Sequence, residues 1–172
     1  QGACDMGGLP NVLTGYQTVD NLDAIAKMEK AGNVTGLPTK PGLKVTQMVP
    51  MAESGEMKAM YIIGENPMIS DPDLSHAEKS LENLDFLVVQ DIFLTETAQM
   101  ADVVLPAATF AEEDGTFVNT ERKVQLIRKA VDPPGDARED WKIIADISGR
   151  MGYHMNYGSA EDIMGEIAAC TR

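Results

Sequence analysis

The sequence predicts an α/β fold: a Rossmann-like, three-layer domain whose short parallel sheet is flanked by helices. Three observations lead there. Met60-Tyr61-Ile62-Ile63, Phe86-Leu87-Val88-Val89 and Val103-Val104-Leu105 are short apolar runs, the pattern of strands buried on both faces. Leu74, Ala77, Leu81 and Leu84 recur at helical spacing between the first two runs. Each run is broken at its end, by Gly64-Glu65-Asn66-Pro67, by Gln90-Asp91 and by Pro106. Strand, helix, strand, helix, strand with such short connections is a βαβαβ unit, and its crossovers are right-handed.

The elements follow in order along the chain. Residues 1–18 read as a Gly-rich loop carrying Pro10. Asp20 is placed to cap a helix in which Leu22, Ile25 and Ala26 share a face. Residues 31–43 are loop again, and 45–54 are weakly helical because Pro50 limits any helix there. Asp71 reads as a cap with Pro72 at the first helical position. Thr95 caps a short helix through Met100. Thr116–Val118 and Val124–Ile127 fit a hairpin around Asn119–Lys123. Asp136 is positioned to cap a helix with Trp141, Ile144, Ala145 and Ser148 on its inner face. Ser159, with Asp162 three residues on, opens a last helix through a capping box. The expected organisation is one α/β domain over 1–172. It comprises a loop-rich opening at 1–45, a dinucleotide-binding core at 56–150 and a terminal helix at 159–170.

Composition excludes several functions. The net charge is −13, and a surface that acidic repels nucleic acid and anionic lipid. No apolar run approaches the roughly 20 residues that span a bilayer. Phosphates, if bound, would be held by backbone N–H groups rather than a basic cluster. Cys4 and Cys170 are the two cysteines, with no C-x-x-C or Cys/His cluster. No metal site is therefore expected within the chain, since zinc and iron–sulfur centres need about four ligands. A Cys4–Cys170 disulfide and two reduced thiols are both open, the second being the plainer reading for a cytosolic protein. His76 and His154 read as surface or packing residues, and the methionines as core filler. The chain opens on Gln1 inside a Gly-rich stretch, which reads as the middle of a longer protein.

Ligands of parallel sheets bind in the crevice beyond the carboxyl ends of the strands. That rule places Gly64–Pro67, Gln90-Asp91 and Ala107–Phe110 at one edge. Gly64 would let a backbone approach a phosphate or ribose. Gln90 or Asp91 would bond a ribose hydroxyl. The plainer alternatives are a solvated Glu65, a turn role for Asn66 before Pro67, and an Asp91 carboxylate facing water.

A set of motifs carries a family likeness. Gln1-Gly2-Ala3-Cys4-Asp5-Met6-Gly7, Leu9-Pro10-Asn11 and Gly15-Tyr16-Gln17 resemble a loop of formate dehydrogenase large subunits. Tyr61-Ile62-Ile63-Gly64-Glu65-Asn66-Pro67 and Val89-Gln90-Asp91-Ile92-Phe93 resemble strand ends shared by molybdopterin oxidoreductases. Thr97-Ala98, Ala101–Pro106, Glu113–Arg122, Val124-Gln125, Asp140-Trp141 and Arg150-Met151-Gly152-Tyr153 follow in family order. Residues 28–58 match least.

The resemblance implies a parent enzyme that interconverts formate and carbon dioxide. Its cofactor would be a bis-molybdopterin guanine dinucleotide holding molybdenum or tungsten, and its electrons would leave through a 4Fe–4S cluster elsewhere in the parent chain. The family's metal-ligating cysteine or selenocysteine, its cluster cysteines and its catalytic arginine lie upstream of Gln1, so no catalytic residue and no metal ligand is expected here. Cys4 matches a family cysteine that is not the metal ligand. The family positions near the dinucleotide fall on Asn66, Ser70 and Asp140, beside Gly64, Glu65, Gln90 and Asp91. Ser70 could equally support a cap, and Asp140 could simply favour a helix dipole. The partners implied are the other domains of the parent subunit and its electron-transfer subunits, in the cytoplasm. The chain alone is expected to be inactive. Two other readings are a metal-free relative serving electron transfer or structure, and a free-standing nucleotide-binding module.

Overall fold

The computed structural model describes residues 2–171. They form two compact units. The first holds the residues up to Leu43, Asp114–Arg128 and those from Asn156 onward. The second holds Lys44–Glu113 and Lys129–Met155.

In the first unit the predicted opening loop contains short elements. Helix α1 (Gly2–Asp5) precedes β1 (Val12–Leu13) and β2 (Gln17–Thr18), which pair antiparallel. The turn between them takes Gly15 and Tyr16 through positive φ (68° and 57°). Tyr16 is held there by company: the Arg122 guanidinium lies 5.2 Å from its ring centroid and also bonds Asp5 at 3.0 Å. Helix α2 (Leu22–Gly32) is capped by Asn21, whose side chain accepts from the N–H groups of Asp23 and Ala24. The expected cap, Asp20, sits one residue too early.

The second unit carries the sheet. Helix α3 (Val45–Glu53) accommodates Pro50 in its interior. Strands β3 (Ala59–Ile63), β4 (Phe86–Asp91) and β5 (Val103–Pro106) are parallel, with β4 central. The register pairs Ile62 with Val89 and Val89 with Val104. Helix α4 (Pro67–Ser70) is a single turn after β3. Helix α5 (Leu74–Glu82) is capped by Asp73, which accepts from the His76 N–H at 3.1 Å. Asp71 instead ends α4 and accepts from the Asp73 N–H, so the helix begins two residues later than Asp71-Pro72 suggested. The His76 ring lies beside α3, with Nε2 2.7 Å from the Glu53 carboxylate. Helix α6 (Glu96–Gln99) is capped by Thr95 as expected.

Strands alternate their side chains between two faces, and here the faces differ. Ile62, Leu87 and Val89 point to one side and pack with Leu81 and Ala98 as the core. Tyr61, Ile63, Phe86 and Val103 point to the other and stay exposed. The apolar runs are thus covered on one face, not on both as their composition predicted.

The hairpin forms as expected from β6 (Gly115–Val118) and β7 (Val124–Ile127), in the first unit. Helix α7 (Asp140–Arg150) starts after Glu139, four residues beyond Asp136. The physical reason is an extended stretch before it. Arg138 donates its N–H to the Pro106 carbonyl and accepts from Ala108, forming a parallel bridge beside β5. That pairing keeps the backbone out of the helix until Glu139. The buried residue of α7 is Ile143, whereas Ile144 is exposed and Trp141 half-buried. Helix α8 (Ala160–Cys170), in the first unit, has the predicted Ser159 cap. Cys4 and Cys170 are free thiols. No helix of the described residues is long and apolar enough to cross a membrane.

Leu87 is 2% exposed at the centre of this core. Leu87→Ala should destabilise the chain by about 2–5 kcal/mol, the transfer and cavity cost of a buried leucine. Ile63→Ala, on the open face, should cost markedly less, with both read from urea unfolding curves.

Candidate functional site at the carboxyl edge of the sheet

Parallel strands all end at the same edge, and here that edge gathers the predicted residues. Gly64 follows β3 with φ of +63°. Its N–H continues the ladder by donating to the Gln90 carbonyl at 2.9 Å. A Cβ at this position would meet no heavy atom within 4 Å, so the chain beside the turn is open. The glycine is required by its backbone angle and not by crowding.

Gln90 is the penultimate residue of β4 and is fully buried. Its amide is held at both ends. The Tyr61 hydroxyl donates to Oε1, and Nε2 donates to the Asp140 carboxylate at the start of α7. The structure therefore brings together Gln90 and Asp140, which lie 50 residues apart.

The other predicted residues make separate contacts. Asn66 ends the β3 loop as a clasp on α6. Its Oδ1 accepts from the Thr97 hydroxyl at 2.7 Å and the Thr97 N–H at 3.3 Å, while Nδ2 donates to Glu96 at 2.8 Å. That last bond lowers the Glu96 pKa, helped by a backbone hydrogen bond. Glu65 and Ser70 pair with each other on the surface. Ser70 thus closes its own loop instead of bonding at Asp71. Asp91 accepts from the Phe93 N–H at 3.1 Å and shapes the turn after β4.

Three contributors escaped the sequence reading. Tyr61 counted only as an apolar strand residue, although its hydroxyl completes the Gln90 contacts. Thr97 is fully buried and anchors Asn66. Glu113 sits in a polar run, Glu112-Glu113-Asp114, in which nothing local marks one carboxylate for burial. Burial lifts its pKa to about 7, with the negative charges of Asp140 and Glu139 adding to the rise and Lys142 opposing it. The signal was the spacing of Glu113 from Glu139-Asp140 in space, which no local pattern encodes. The Tyr61 phenol is likewise raised, by burial first and then by Asp140.

The open left-handed glycine and the Gln90–Asp140 pair stand at the carboxyl edge of the parallel sheet, the edge at which open α/β sheets bind ligands. Among the described residues no group of three or more His, Cys, Asp or Glu side chains could hold a metal.

Comparison with known proteins gives the chain a family. Residues 1–150 match the molybdopterin oxidoreductase family. The chain is 58% identical over 99% of its length to an F420-dependent formate dehydrogenase subunit alpha of Methanocaldococcus jannaschii, covering 25% of that protein. It is 42% identical over 97% of its length to formate dehydrogenase H of Escherichia coli, covering 23% of it. Among solved structures, acetylene hydratase from Pelobacter acetylenicus superposes with a TM-score of 0.63 at 26% identity, over 72% of this chain and 18% of that one. The chain belongs to the molybdopterin oxidoreductase family. Its similarity to formate dehydrogenase alpha subunits runs over nearly its whole length, while it spans about a quarter of theirs.

The raised Glu113 pKa has a thermal consequence. A carboxyl group whose pKa is higher in the folded state favours folding when protonated, so its contribution is present at low pH. It is lost as pH rises from the ordinary value of 4.5 through about 7. Glu113→Gln removes that titration. The melting temperature of the variant relative to the unmodified chain should therefore rise across this window and level off above it. A difference that stays flat from pH 4 to about 8 would mean that Glu113 does not titrate there.

Proposed function

We propose that this chain is the part of a formate dehydrogenase alpha subunit that holds the guanine end of a molybdopterin guanine dinucleotide. The observation that carries the proposal is the Gln90–Asp140 pair at the carboxyl edge of the sheet, next to the open turn at Gly64. The formate dehydrogenase identities add the reaction, since they reach 58% where the acetylene hydratase reaches 26%.

The donor set suits the group. Asp140 uses one carboxylate oxygen on Gln90 and keeps acceptor capacity for a purine ring N–H and exocyclic amine. Gly64 offers backbone beside open space, suited to a ribose or phosphate. Asp91, Asn66, Glu65 and Ser70 complete the proposed lining from the two flanking loops. The acidic chain leaves phosphate charge to be met by backbone N–H groups. In this reading the sheet unit is Rossmann-like. When bound, the cofactor would supply the two-electron chemistry at molybdenum or tungsten, and a 4Fe–4S cluster elsewhere in the subunit would accept electrons. Residues of this chain bind and orient the cofactor's nucleotide end and take no part in bond-making. The remaining subunit domains and electron-transfer subunits are its proposed partners, in the cytoplasm.

Asp140→Ala tests the assignment. In the intact enzyme it should weaken cofactor retention by about 1–3 kcal/mol, the cost of leaving buried polar groups unpaired. Metal content and activity should fall together, and the activity per bound metal should hold. Full cofactor occupancy in this variant would return Asp140 to a helix-dipole role. The chain by itself should reduce no dye with formate; turnover by the purified, metal-free chain would refute the proposed division of labour.

A further inference from the structure

Gln90 poses a problem of orientation. A primary amide is nearly symmetric in shape but opposite in chemistry at its two ends. Buried completely, it has no water to correct a wrong choice. An amide turned the wrong way would set its oxygen against the Asp140 carboxylate. Two acceptors would then face each other at low exposure, and the carboxylate would lose its anchor.

The neighbours remove the ambiguity. An ionised carboxylate only accepts, so the end of Gln90 facing Asp140 must be Nε2. The other end is then Oε1, and the group facing it must donate. Tyr61 supplies that donor. The register explains how it reaches. Tyr61 pairs with Val88, and Gln90 lies two residues further along the same face of β4. This is a diagonal neighbour on the same face of the sheet, and the Tyr61 hydroxyl reaches it. A phenylalanine would fill the same space and leave the Gln90 oxygen buried without a donor.

We propose that Tyr61 is a positioning residue for purine recognition: it fixes the amide of Gln90, which in turn aims the Asp140 carboxylate at the donor edge of guanine. This rests on the guanine reading of the preceding subsection. Tyr61 itself contributes no ligand contact. Its effect falls on selectivity, because a carboxylate held in one orientation can meet the ring N–H and the 2-amino group together. A carboxylate free to swing meets them one at a time.

The test uses the full chain titrated with guanosine and inosine monophosphates, which differ only in the 2-amino group. The unmodified chain should prefer the guanine nucleotide. Tyr61→Phe should lower that preference about three- to tenfold, the range of one lost hydrogen bond. In a Gln90→Met background, where nothing remains to be oriented, Tyr61→Phe should change the preference no further. Amide-proton exchange gives a second reading without ligand. The Gln90 side-chain protons, assigned by their absence in Gln90→Met, should exchange slowly in the unmodified chain and faster in Tyr61→Phe. An unchanged preference and unchanged exchange in Tyr61→Phe, with selectivity lost in Asp140→Ala, would overturn the role of Tyr61 and leave the guanine reading standing. Effects of Tyr61→Phe that persist in the Gln90→Met background would also overturn it. A chain that takes both nucleotides alike, with or without Asp140, would remove the guanine reading and this inference with it.

Discussion

The parallel direction of three strands is the constraint on which the rest depends. Because β3, β4 and β5 run the same way, each must end where its neighbours end. Residues distant in sequence are delivered to one line: the turn at Gly64, the Gln90-Asp91 pair and the Pro106-Ala107 step. The hydrogen-bond ladder does not stop at the strand ends. Gly64 bonds the Gln90 carbonyl, and Ala107 donates to the Asp91 carbonyl at 3.1 Å. The extended stretch at Arg138 then joins beside β5 and brings Asp140 to the same edge. The position of α7 follows from sheet pairing more than from its own capping, since Glu139 makes no side-chain cap.

Charge sets the second condition. Within a chain of net charge −13, Glu113 lies in the field of Glu139 and Asp140, and Lys142 is the cation that opposes them there. Glu139 bonds Lys142 at 2.9 Å, while Asp140 takes a neutral amide donor instead of a cation. A carboxylate satisfied by an amide keeps its charge and its remaining acceptor capacity, which a tight ion pair would consume. The raised Glu113 pKa comes first from burial; the charges of Asp140 and Glu139 add to it, and Lys142 opposes them.

The sheet was legible because apolar runs of three or four residues bounded by Gly, Pro and amide breaks have few other uses in a chain of this length. Its three strands and both intervening helices appear where those runs placed them. Caps were less legible wherever two candidates stood close together. Asp20 against Asn21, and Asp71 against Asp73, are decided by which residue has extended backbone next to the first free N–H groups, and composition does not state this. The start of α7 was misplaced for a different reason. A long-range bridge from Arg138 to Ala107 competes with local helix signals at Asp136, and single-sequence patterns carry no record of such a pairing. Burial of the strands failed in the same way: apolar composition shows that a face can be covered, and coverage depends on what packs there. At the candidate site, the sheet rule and the family likeness found Gln90 and Asp140. They could not reveal Tyr61, whose one polar atom is hidden in a strand that reads as apolar.

The two loops of the edge are built to different chemistry. Asn66 has spent most of its capacity: both sides of its oxygen are used by Thr97, and one N–H by Glu96. One N–H donor remains. Asp140, held through a single oxygen by Gln90, remains an acceptor. Under the proposed reading, a ligand along this edge must therefore accept near Asn66 and donate near Asp140. A nucleoside satisfies both demands when its sugar or phosphate oxygens face the β3 loop and a donor-bearing base faces α7. Adenine presents a ring nitrogen acceptor where guanine presents an N–H, and a carboxylate opposite that acceptor would be left unpaired. The capacity left over after the protein's own hydrogen bonds thus favours a base with a ring N–H over adenine, and guanine belongs to that class.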